Sequence, residues 1–164
     1  GFLPEMPPLY LEMTVKEYLN FIYDLKKCTL NRREHIAEIC RVVKIEDTMN
    51  RMIKNLSKGY RQRVGIAGAI VGNPEVIIFD EPTNGLDVLT AKVVTDFLAE
   101  LRAQGKTVLL STHIFSLVEK LCDRVGIIID GKMAVEGALP EICGGKSLED
   151  AFFDLYAAAK GGAV

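Results

Sequence analysis

Residues 76–87 read VIIFDEPTNGLD: four apolar residues in a row, two adjacent carboxylates at Asp80 and Glu81, then an immediate break into Pro-Thr-Asn-Gly. A short, unbroken apolar run closed by turn residues is the pattern of a strand buried on both faces, as in a parallel sheet. Downstream the segments alternate: helix over 88–104 closed by Gly105, strand 107–110, helix 114–121, strand 125–129. That alternation predicts an α/β fold whose parallel sheet is covered on both faces. Asp130-Gly131 is a hairpin signal, so residues 132–135 are expected to return antiparallel at an edge. Two short helices follow, near Leu139 and over 147–159, and the Gly161-Gly162 tail is expected to fray.

Upstream of the opening stretch the periodicity is helical. Val15, Tyr18, Leu19, Ile22 and Leu25 form one stripe, with Thr14 and Glu17 spaced as a capping box. A second helix starts at Asn31, with Glu34 at the same cap spacing, and carries Ile36, Ile39, Cys40 and Val43. A third begins after Ser57, a good N-cap, and runs to about Val71, where Gly72-Asn73-Pro74 stops it.

With 164 residues, 49% of them hydrophobic, the chain is long enough for a compact core. A formal charge of −2 gives no electrostatic reason to expect nucleic acid or an anionic membrane as a direct partner. Cys28, Cys40, Cys122 and Cys143 form no CxxC pair, so they read as free thiols rather than a zinc site or disulfide framework. No run approaches the ~20 apolar residues that span a bilayer, and GFLPEMPPLY lacks the basic-then-apolar order of a secretion signal. The chain is therefore expected to be soluble.

In open parallel sheets ligands bind beyond the carboxyl ends of the strands, where Asp80, Glu81, Ser111, Thr112 and His113 all fall. Each has a plainer reading when taken singly: Ser57 as a cap, Asp80-Glu81 as a turn signal, His113 as a hydrogen-bonded structural histidine. Their joint order resembles the ATP-binding-cassette (ABC) family of ATPases. LSKGY (56–60) is similar to that family's LSGGQ signature, VIIFDE (76–81) to its Walker B strand, NGLD (84–87) to its D-loop, and STH (111–113) to its H-loop.

The resemblance covers essentially the whole chain and implies a parallel-sheet, P-loop NTPase-like core, in its C-terminal part, with an inserted α-helical subdomain. It implies ATP and Mg2+ as cofactors: Asp80 holds the metal, Glu81 polarises the attacking water, and His113 contacts the γ-phosphate. It implies that Ser57, Lys58 and Gly59 address ATP held by a second nucleotide-binding subunit, with Asp87 at the subunit contact. The implied partners are that second subunit and a transmembrane permease, with no nucleic acid. The implied location is cytoplasmic, peripheral at the inner face of the cell membrane.

The sequence also departs from the family. Lys58 and Tyr60 replace a glycine and a glutamine of the signature, spellings similar to those of the ABC-2-type exporter branch; Lys58 either reaches a phosphate or sits in solvent. The Q-loop glutamine aligns with Met6, whose thioether cannot supply an amide oxygen to a cation. No strand–GxxxxGK[ST]–helix precedes Walker B. The string GGKS (144–147) is a decoy, because Pro140 stands where the first glycine belongs; Ser147 reads instead as a helix cap.

The organisation expected is a Q-loop-like connector (1–8), a helical subdomain (9–71), an α/β core (72–137) and C-terminal helices with a tail (138–164). The stretch is expected to correspond to the part of a nucleotide-binding domain that follows the P-loop, to be inactive alone, and to leave apolar sheet surface and edges bare. Two other functions are open at this point: a non-transport ABC ATPase of the DNA-repair or chromosome type, and a non-catalytic interaction module.

Overall fold

A computed structural model describes residues 1–161, so Gly162 of the expected frayed tail lies outside the described residues. Two compact bodies divide between Ser111 and Thr112, a point within the 72–137 segment. The first holds β1 (Phe2–Leu3), α1 (Val15–Leu25), α2 (Arg32–Val42), two 3-10 turns (Glu46–Thr48 and Ile53–Asn55), α3 (Lys58–Ile70), β2 (Val76–Asp80), α4 (Val88–Ala103) and β3 (Thr107–Ser111). The second holds α5 (Phe115–Leu121), β4 (Arg124–Ile129), β5 (Lys132–Ala138), α6 (Leu139–Cys143) and α7 (Leu148–Gly161).

The caps read from sequence form as hydrogen bonds. The Thr14 hydroxyl accepts from the Glu17 N–H at 3.2 Å while the Glu17 carboxylate accepts from the Thr14 N–H at 2.8 Å, closing the box that starts α1. Asn31 accepts from the Glu34 N–H at 3.3 Å to start α2. Each satisfies an amide that the helix itself leaves open.

In the first body β2 is central, with β1 and β3 parallel to it on either side. Phe2 and Leu3 pair with Ile78 and Phe79, so the segment read as a connector contributes a strand. The expectation that the sheet is covered on both faces does not hold. Ile77 and Phe79 are buried at 1% and 0% exposure, and Phe79 meets Phe97 of α4 edge-on at 6.4 Å. On the other face the row Phe2, Ile78 and Leu109 is 59%, 37% and 60% exposed. Bare apolar sheet surface is thus present.

The strand at 125–129 is also placed differently from the parallel set expected. β4 pairs antiparallel with β5 in a separate two-stranded sheet, with an irregularity between Ile127 and Ile128. The hairpin read at Asp130-Gly131 does form, with φ 51° and 74°, the left-handed pair of a two-residue turn.

Around α3 the first body packs closely. A side-chain carbon added at Gly65 would fall 2.7 Å from Pro7 Cβ and 2.8 Å from Leu3 Cδ1, and one at Gly68 would fall 3.0 Å from the Tyr18 hydroxyl. At its C-terminal end the Lys26 ammonium donates to the carbonyls of Gly68, Ala69 and Val71 at 2.9, 2.7 and 3.0 Å. Beyond them, the Gly72 N–H donates to His35 Nε2 at 2.9 Å.

Lys26→Met is expected to lower stability by about 2 kcal/mol in urea unfolding, because it strips donors from three terminal carbonyls. The His35 bond requires a neutral ring. Burial pushes the His35 imidazole below its ordinary 6.5, with nearby Glu38 opposing and Lys26 assisting. Protonation is therefore easier in the unfolded chain, so stability is full above about pH 6.5 and declines as pH falls below it. His35→Gln is expected to flatten that limb; an unchanged slope would refute the assignment.

Candidate functional site

The strand β2 ends at Asp80, which pairs with Ser111 at the end of β3. The chain then reverses at Glu81, whose φ of 45° is left-handed for a residue with a side chain, a conformation costing roughly 1–3 kcal/mol. Backbone bonds hold it there: the Glu81 N–H donates to the Ser111 carbonyl at 2.9 Å, and the Asn84 N–H to the Glu81 carbonyl at 3.1 Å. Pro82 and Thr83 are buried beneath the turn, and Gln62 of α3 donates to the Pro82 carbonyl at 3.1 Å. The backbones of two consecutive acidic residues are thus held at the carboxyl edge of the sheet, both residues only partly buried.

The start of α3 lies against the same turn. Ser57 is exposed and caps α3, its hydroxyl accepting from the Tyr60 N–H at 3.4 Å. Lys58 is exposed, and its ammonium occupies the space that a side chain at Gly85 would fill. Gly59 is buried, and a methyl there would fall 2.8 Å from Thr90 Cγ2 at the start of α4.

Asp87 caps α4, accepting from the Leu89 and Thr90 N–H groups at 3.1 and 3.0 Å and from the Thr90 hydroxyl at 2.7 Å. The Thr90 hydroxyl, followed by that backbone, holds the Asp87 carboxyl below the usual aspartate value. Ser57, Lys58, Gly59 and Asp87 therefore share one neighbourhood, knit by close contact of α3 with the loop 82–87.

His113 belongs to the second body, two residues beyond the end of β3, and its side chain is exposed. The Met6 side chain is 84% exposed. Its neighbour Glu5, which the sequence reading passed over, accepts from the Asn84 side chain at 2.7 Å. Glu5 lies two residues past the end of β1, and no signal in the sequence marks it; the contact joins residues 79 apart in the chain.

At GGKS the short helix α6 leads into Gly144 and Gly145, Lys146 pairs with Asp154 at 2.7 Å, and the Ser147 hydroxyl accepts from the Asp150 N–H at 3.1 Å. That is a loop and a helix cap.

Among the described residues no group of three or more His, Cys, Asp or Glu is arranged to hold a metal. A lone strand-end carboxylate such as Asp80 suits Mg2+, which commonly binds through one or two carboxylates together with substrate phosphates. No helix among the described residues is long and apolar enough to cross a membrane.

Comparison with known proteins shows what the chain is similar to. The family model described as "ABC transporter" matches residues 1–84. The chain is 37% identical over 145 residues to the ABC transporter ATP-binding protein NatA of Bacillus subtilis, covering 87% of this chain and 58% of that protein. It is 34% identical over 139 residues to the Nod factor export ATP-binding protein I of Rhizobium leguminosarum bv. viciae, covering 84% and 44%. A solved structure, that of the ATP-binding subunit of an ABC transporter, superposes with a TM-score of 0.83 at 31% identity, over 94% of this chain and 67% of the other. The chain spans about half the length of the curated relatives it matches.

Gly59→Ala is expected to destabilise the protein by about 1–3 kcal/mol through overlap with Thr90. Thr90→Ser removes the methyl but keeps the hydroxyl, which would still lie 3.0 Å from the added carbon, and is expected to recover only part of that loss. Thermal unfolding of the two single variants and the double variant checks both.

Proposed function

The chain belongs to the ABC transporter family, and from that premise we propose that it supplies the Walker B, signature and D-loop portion of an ATP-hydrolysing subunit that drives export across a membrane. The observation that carries the reading is the strained turn at Glu81, which holds the backbone of this acid directly after Asp80 at the edge where α/β sheets take ligands. Catalysis of phosphoryl transfer is largely positioning and charge stabilisation, and a rigid turn serves both.

Glu81 orients the attacking water and withdraws its proton toward the carboxylate. Asp80 would hold Mg2+, which when bound neutralises charge developing on the phosphates. His113 donates toward the γ-phosphate, the role the family resemblance assigns it. Ser57 with the free amides at the start of α3 addresses ATP carried by a second subunit, with Lys58 beside them and Asp87 at that contact. Glu5, with a carboxylate on the turn, is the connector residue that brings an oxygen to this edge; Met6 brings none. A transmembrane permease is the partner, with the ATPase peripheral on the cytoplasmic side.

Relatives such as the Nod factor export protein support the export direction. The 164 residues contain no GxxxxGK[ST] loop to cradle a triphosphate, so on their own they are expected to turn over ATP negligibly.

Glu81→Gln in the intact ATP-binding subunit is expected to lower Mg2+-dependent turnover by about 100-fold or more while ATP binding persists. Near-normal turnover in that variant would overturn the assignment of the base. So would turnover by the 164-residue chain alone that survives Glu81→Gln.

A further inference from the structure

We propose that the cleft between α1, α2 and residues 46–49 is a binding site for a small amphipathic carboxylate, a single carboxyl group on a linear apolar tail. The cleft has a volume of about 510 Å³, within the range of small-molecule sites. Its floor is apolar, with Ile36 and Cys40 buried from α2 and Met49 beside them, the Cys40 and Met49 sulfurs 3.3 Å apart.

The rim fixes the charge of the ligand. Arg32 is already paired with Asp24 and stacked over the Tyr23 ring. Lys16 and Arg33 make no ion pair among the described residues, and Glu46 is the one acid lining the cleft. Two uncommitted cations against one carboxylate leave a surplus of a single positive charge, which matches a monoanion rather than a phosphoester dianion. An apolar floor beneath that rim suits a tail beneath a charged head.

The cleft is held open by bonds on both sides of its third wall. The Lys16 N–H donates to the Met49 carbonyl at 2.9 Å and the Val15 N–H to the Arg51 carbonyl at 3.1 Å. Across the wall the Tyr60 hydroxyl donates to Asp47 at 3.0 Å, and the buried Thr48 hydroxyl donates to the Ile45 carbonyl at 2.8 Å. A cleft braced in this way does not have to be opened by its ligand, which lowers the cost of binding. We commit to a carboxylate dissolved in solution rather than one presented by a lipid surface.

The test uses the 164-residue chain labelled with 13C-methyl methionine and titrated with octanoate. A saturable shift of the Met49 methyl is expected, with Met6 and Met133 unmoved. Octanol, which lacks the charge, is expected to bind about tenfold more weakly. The double variant Lys16→Glu with Arg33→Glu should weaken octanoate by at least about tenfold and leave octanol unchanged, whereas Ala37→Trp, which fills the cleft, should abolish both.

If charge reversal alters the thermal midpoint, the milder pair Lys16→Gln and Arg33→Gln gives the same reading. Any of four results overturns the proposal: no saturable shift, octanol binding as tightly as octanoate, indifference to both rim pairs, or a Met49 shift produced only by phosphatidylglycerol vesicles.

Discussion

The first body depends on how α3 is buried. From Val64 to Ile70 every residue of this helix is buried, so over that stretch none of its faces is available to water. A helix in that position needs neighbours that come very close and donors for the carbonyls at its end. Gly65 and Gly68 meet the first need by admitting Leu3, Pro7 and Tyr18 almost to the helix backbone. Lys26 and His35 meet the second, one giving three donors to the terminal carbonyls and the other accepting the amide just beyond them. Two helices that precede α3 in the chain thereby complete its C-terminal end.

That same helix connects the scaffold to the chemistry. Its first turn faces Gly85 and Thr90, and one turn further Gln62 reaches beneath the reversal at Glu81 to the Pro82 carbonyl. The reversal is costly for a glutamate, and it persists because its amide and carbonyl are both bonded and its underside is filled. The signature residues and the paired acids are consequently attached to a common rigid element, so their spacing is set by core packing rather than by loop preference. Glu5 adds a third attachment from the connector through Asn84.

What the amino-acid order made readable was the local physics. Thr14, Asn31, Ser57 and Asp87 each satisfy amides two or three residues away, and the left-handed pair Asp130-Gly131 closes a hairpin whatever lies around it. The parts that were not readable depend on distant partners. β1 is two residues long, too short to carry any periodicity, and exists because β2 offers an edge. Lys26 looks like a solvated helix-end lysine until the α3 carbonyls, more than forty residues away, are placed beside it. The apolar runs at 76–79 and 107–110 indicated a two-sided sheet, yet which face is covered depends on packing partners that composition alone does not identify. Of the site, the acids and the caps were legible as types and spacings, whereas the engagement of Glu5 rests on a hydrogen bond from Asn84, far away in the sequence.

The bare row Phe2–Ile78–Leu109 has a thermodynamic consequence of its own. Water over contiguous hydrocarbon contributes a positive heat capacity, and removing that water removes the contribution. Whatever lies down on this face, association must therefore carry a negative heat-capacity change that scales with the hydrocarbon area covered. Its enthalpy will grow more favourable on warming, so a calorimeter run at several temperatures can report occupancy of the sheet without knowing the occupant.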